Sequence, residues 1–121
     1  MKSYKDLEIF QDAKALAIEV HHQSMNFPSF ELFEEGSQIR RCSKAMPALI
    51  AEGYGRRRYK ADYIKYLIWA LSECNETMVH LDLLSETGSL KLENYRELVS
   101  KYDQLGRRIQ TFILWVEKNL K

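Results

Sequence analysis

A chain of 121 residues, 45% apolar and 29% charged, suits one domain with an ordinary core and is too apolar for a disordered segment. Five glycines and two prolines are too few for a fold of many short strands and turns, so long helices are favoured. Two cysteines exclude a disulfide scaffold, a net charge of +1 excludes a polycation, and no apolar run approaches the roughly 18 residues of a membrane span.

The N-terminal Met1-Lys2-Ser3-Tyr4-Lys5-Asp6 lacks the apolar region of a signal peptide, so a cytoplasmic location is expected, with no membrane partner. A first helix is predicted over about residues 6–25, with Asp6 as N-cap and Ile9, Ala13, Leu16, Ala17 and Val20 on its inner face. Pro28 ends it. A second helix is predicted over about residues 30–53, capped by Ser29. Its seam of Gly36, Ile39, Ser43, Met46, Ile50 and Gly53 steps alternately by three and four residues. Pro47 lies in this stretch and should kink it; Gly53 or Gly55 should end it in a left-handed turn.

A basic loop follows, then a third helix over about residues 60–86 with the seam Tyr63, Leu67, Ala70, Cys74, Thr77, Leu81, Leu84, and Gly88 as its C-cap. A fourth is predicted over about residues 91–119, with the seam Tyr95, Leu98, Tyr102, Leu105, Ile109, Phe112, Val116. Four long helices with short connections read as an all-α, up-down-up-down four-helix bundle filling one domain, 1–121. Ile64, Ile68, Trp69 and Leu71 on the third helix, and Ile113, Leu114 and Trp115 on the fourth, exceed one seam each. They imply either subunit contacts or a wider core.

Charge is distributed in blocks. Residues 36–66 hold eight Lys or Arg against two acids, and residues 67–90 hold four acids and no Lys or Arg. Arg40, Arg41, Lys44, Arg56, Arg57, Arg58 and Lys60, with Lys65 beyond, make a candidate phosphate-binding patch, and Tyr54 and Tyr59 offer stacking surfaces. The positive N-terminal end of the third helix adds to the same field. A solvated loop, salt-bridged to the acidic blocks, is the plainer alternative. Glu52 is expected to pair with Arg40, Arg41 or Arg56 rather than act as an acid or base.

No catalytic, cofactor or metal site is expected. Gly53-Tyr54-Gly55 lacks the third glycine of a dinucleotide fingerprint and follows a helix. Glu19-Val20-His21-His22 gives one Glu-x-x-His pair, where a di-iron bundle needs two, and Glu76 to His80 has a different spacing. Cys42 and Cys74 are assigned to the core.

Several fragments together resemble one family. They are Leu7-Glu8-Ile9-Phe10-Gln11-Asp12-Ala13, Phe27-Pro28-Ser29-Phe30-Glu31, Gln38-Ile39-Arg40-Arg41, and Ile50-Ala51-Glu52-Gly53-Tyr54-Gly55-Arg56 with Pro47 before it. Ala70-Leu71-Ser72, with Glu76 and Leu81, adds to the match. The chain resembles the four-helix bundle proteins encoded by intervening sequences of bacterial 23S ribosomal RNA genes. These are related to the accessory variability determinants of diversity-generating retroelements. The resemblance makes Pro47, Glu52, Gly53 and Gly55 signature positions. It also implies a homo-oligomer, a pentameric ring in the related group, that binds RNA or DNA and a protein partner through basic surfaces. Two functions therefore stand: a non-catalytic, nucleic-acid-associated adaptor, or a protein-interaction scaffold that binds no nucleic acid.

Overall fold

A computed structural model describes residues 3–121. Its four α-helices are α1 (Glu8–Ser24), α2 (Glu35–Gly55), α3 (Lys60–Glu86) and α4 (Leu92–Asn119). Short 3₁₀ turns, Tyr4–Asp6 and Ser29–Leu32, precede α1 and α2. Cross-helix contacts fix the topology. Glu19 and Asp12 of α1 meet Lys101 and Arg108 of α4, in reverse order along the two helices. Cys42 and Glu35 of α2 meet Thr77 and His80 of α3, and Cys74 and Asp82 of α3 meet Tyr102 and Tyr95 of α4, each again reversed. The bundle is therefore up-down-up-down.

The seams account for the core. Gly36, Ile39, Ser43, Met46, Ile50 and Gly53 of α2 are all buried, as is every seam residue of α3 from Tyr63 to Leu84. On α4, Leu98, Tyr102, Leu105, Ile109 and Val116 are buried, while Tyr95 and Phe112 pack half-buried against them. The surplus apolar residues divide. Ile113 is buried and Ile64 and Leu71 pack against the core, so the core is wider than one seam. Ile68, Trp69, Leu114 and Trp115 remain about half exposed.

The helix starts differ from the sequence expectation. Asp6 caps no α-helix; it closes a capping box with Ser3 around the first 3₁₀ turn, and α1 begins after Leu7. Ser29 opens the second 3₁₀ turn instead of α2, and α2 begins six residues later than Ser29, at Glu35. The cause is Glu31. Its side chain is only 3% exposed, accepts a 2.6 Å hydrogen bond from the Ser89 hydroxyl, and receives the amide of Gly36 at 3.4 Å. A carboxylate buried there serves the unpaired donors of the first turn of α2 from outside the helix. Gly36 is required beside it, because a Cβ would lie 2.4 Å from the Glu31 carbonyl oxygen.

The α2 terminus also departs from expectation. The helix continues through Pro47 to Gly55, and no left-handed turn follows: among the described residues only Gly88 has positive φ, at 86°. Gly53 serves close approach instead. A Cβ on it would sit 2.8 Å from the Cβ of Tyr66 on α3. Gly88 does what was expected beyond α3, where the Ser89 and Leu90 amides fold back onto the Leu84 carbonyl at 2.9 and 3.0 Å.

Gly53→Ala and Gly55→Ala should therefore move stability in opposite directions. The first forces α2 from α3 and should cost about 1–3 kcal/mol. The second meets nothing within 4 Å and should add about 0.5–1 kcal/mol through helix propensity. Urea denaturation followed by circular dichroism separates the two.

Candidate functional site

The structure divides the basic residues into two groups. Arg40 lies in α2 and Arg56 caps its C-terminal end sixteen residues on, so their Cα atoms lie about 24 Å apart along the helix axis. Arg40, Arg41 and Lys44 belong to the first half of α2, and Arg56, Arg57, Arg58 and Lys60 to the opposite end of the bundle.

The first group is largely engaged. Arg40 donates to the Leu32 carbonyl at 3.0 Å and so ties the second 3₁₀ turn to α2. Lys44 lies 3.0 Å from Nδ1 of His21 on α1. The ammonium holds the His21 imidazole below the ordinary histidine range, with burial, His22 and Arg40 adding in that order. Arg41 and Lys44 are both exposed, and among the described residues no ion pair involves either.

At the other end, tyrosines organise the loop. The Arg57 guanidinium lies 4.0 Å from the centroid of the Tyr54 ring and donates to the Tyr54 carbonyl at 2.9 Å. Arg56 lies over Tyr66 at 5.1 Å and pairs with Asp62 at 3.7 Å. Arg58 is 6.0 Å from the ring centroid of Tyr59, and Lys65 is 5.5 Å from that of Trp69. Lys60 donates to the Glu117 carbonyl and thereby ties the start of α3 to the end of α4. Carbonyls and ring faces orient these cations without cancelling their charge. Among the described residues, no ion pair involves Arg57, Arg58 or Lys60. α3 begins here with no side-chain cap, so its first amides add to the positive field.

Glu52 takes a different partner from the arginines. Its carboxylate accepts from the Tyr66 hydroxyl, the leading cause of that phenol's raised pKa. Tyr66 thus sits between Glu52 and the Arg56 guanidinium over its ring. Gly53 lets Tyr66 come this close to α2. No comparable role falls to Gly55 or Pro47, the other two signature positions.

The structure also gathers three residues that the sequence leaves apart. Sγ of Cys42 on α2, a carboxylate oxygen of Glu76 and a ring nitrogen of His80 on α3 all lie within 4.8 Å of one another. Glu76 and His80 are four apart, one helical turn, and Cys42 faces them across the α2–α3 contact. The sequence signal was this i, i+4 pair, which a search for Glu-x-x-His passes over.

The fold and loop define a class: a small all-α bundle with an aromatic-backed basic loop at one end. The chain belongs to the 23S rRNA-intervening sequence protein family, whose model matches residues 5–111. It is similar to a crystal structure from Bacteroides thetaiotaomicron, described as a protein with unknown function from the S23 ribosomal protein family. That likeness has a TM-score of 0.79 at 24% identity and covers 87% of this chain and 97% of the other. No curated protein matches the chain. Among the described residues no helix is long and apolar enough to cross a membrane.

The depressed His21 sets a sign for pH dependence. An unfolded chain binds the His21 proton more readily than the folded one, so this contribution to stability is complete above about pH 6.5 and declines as pH falls below it. Lys44→Met should raise the His21 midpoint, read by NMR titration, and weaken the acid-side loss.

Proposed function

We propose that this protein is a non-catalytic, self-associating bundle that holds nucleic-acid phosphates with its α2–α3 loop. One observation carries the reading: Arg57, Arg58 and Lys60 are held by rings and carbonyls at the uncapped start of α3, with their charge left uncancelled. Exposed cations backed by Tyr54 and Tyr59 suit single-stranded RNA or DNA, where phosphates meet charge and bases meet rings. Nothing in such an arrangement reads a base edge, so binding is sequence-tolerant. Arg40 and Lys44 have structural bonds and play the smaller part, while Arg41 stands alone.

Self-association rests on the half-exposed Ile68 and Trp69 of α3 and Leu114 and Trp115 of α4. A monomer gains nothing by presenting four large apolar side chains to water. Copies arranged in a ring would repeat the loop around the axis and multiply its field. The pentamer known in the related retroelement group is one such arrangement. The alternative is a protein scaffold that uses these same apolar faces and leaves the loop solvated.

Two measurements separate the readings. Anisotropy of a labelled single-stranded RNA should show affinity falling linearly with salt on a log–log plot, and the Arg57→Glu/Arg58→Glu double variant should bind at least about tenfold more weakly at low salt. A flat salt response, or unchanged binding by that variant, rejects the phosphate reading. Light scattering should give a mass several times that of one chain, reduced by Ile68→Ser/Trp69→Ser; a monomer of the native protein rejects the self-association.

A further inference from the structure

We infer that Cys42, Glu76 and His80 form a binding site for a zinc-class divalent ion, with Glu35 orienting His80 from outside the coordination sphere. The site lies on the α2–α3 face, away from the basic loop, and does not depend on nucleic-acid binding.

The geometry begins with the imidazole. Nδ1 of His80 is hydrogen-bonded to a carboxylate oxygen of Glu35 on α2, while Nε2 lies 3.9 Å from a carboxylate oxygen of Glu76 on α3. A carboxylate on Nδ1 holds the proton there and leaves Nε2, the nitrogen near Glu76, as the lone-pair donor. This is the usual outer arrangement behind a histidine that binds a metal. The thiolate and imidazole favour zinc over magnesium or calcium, and three protein ligands leave a fourth tetrahedral position open to water.

The spacing fits a site that closes slightly on its ion. Tetrahedral zinc with Zn–N and Zn–O near 2.0–2.2 Å and Zn–S near 2.3 Å brings its donor atoms to about 3.3–3.7 Å from one another. The three donors here lie within 4.8 Å. The carboxylate that must move most freely, Glu76, is over half exposed, whereas His80 is mostly buried and Cys42 almost wholly so. Charge favours a cation as well. Among the described residues no Lys or Arg pairs with Glu73, Glu76 or Glu35. Binding would exchange the Cys42 S–H proton, released to solvent, for an S–metal bond. The plainer role for the cluster is His80 bridging Glu35 and Glu76 with no ion.

The test uses the full chain, stripped with chelator, kept reduced, and titrated with Co(II) as a spectroscopic probe and then with Zn(II). One equivalent of Co(II) should produce a thiolate-to-metal charge-transfer band and tetrahedral d–d absorption, both removed by one equivalent of Zn(II). His80→Gln and Glu76→Gln should each weaken binding at least about tenfold, and Glu35→Gln by about 10–100-fold. His21→Gln/His22→Gln should leave it unchanged. Cys42→Ser should abolish the charge-transfer band; if that buried change prevents folding, the His80 and Glu76 variants decide alone. Absence of a thiolate band in the native protein overturns the site and leaves His80 as a bridge between the two carboxylates. So does binding that survives both His80→Gln and Glu76→Gln. Neither outcome bears on the RNA measurements above.

Discussion

The closeness of α2 to α3 governs most of what this molecule presents to its surroundings. Gly53 permits it: with no side chain there, the Tyr66 Cβ comes near enough for its ring to lie under Arg56 and its hydroxyl to reach Glu52. Nearer the middle, Cys42 and Thr77 share a hydrogen bond at 3.2 Å in the same contact. One antiparallel pairing thus sets the position of the aromatic shelf behind the loop and the meeting of Cys42 with His80. Small residues along a seam are usually discussed as packing devices; here the packing decides which polar groups become neighbours.

Charge in the bundle follows a related logic. The acidic residues of 67–90 and the basic residues of 36–66 are adjacent in the chain, yet among the described residues no ion pair joins the two stretches. Arg56 pairs instead with Asp62, within its own stretch, in one exposed bond. Elsewhere Arg57 and Arg58 lie against rings, and Glu35 and Glu76 flank a histidine. Exposed ion pairs contribute little to stability in any case. Leaving the two signs separate costs the fold little and leaves two surfaces of opposite character on one pair of helices.

The architecture was legible in the sequence because burial repeats at helical spacing. Every seam residue of α2 and α3 is buried, and the ends of α3 fall where Gly88 and the basic loop place them. The starts of α1 and α2 were not legible, because their signals are tertiary. Ser29 and Asp6 look like caps locally, but Glu31 is drawn inward by Ser89, more than fifty residues away, and its burial converts the Ser29 stretch into a 3₁₀ turn. The basic patch was half legible. Linear proximity groups Arg40 with Arg56, whereas helical rise separates them. Glu52 meets the Tyr66 hydroxyl, a partner fourteen residues on that local sequence does not single out, and no ion pair among the described residues joins it to an arginine. The Cys42, Glu76 and His80 cluster needs two helices in register, which no single stretch of sequence displays.

Glu31 has a mechanical consequence. Its bond to Ser89 joins the α1–α2 connection to the α3–α4 connection at the end of the bundle opposite the loop. A slip of α2 by one helical turn, about 5.4 Å, would pull the carboxylate off its hydroxyl and strand it in an apolar interior. The bond therefore opposes sliding of α2 along its neighbours, and a molecule docking on the far end meets arginine side chains that move more easily than the rods behind them.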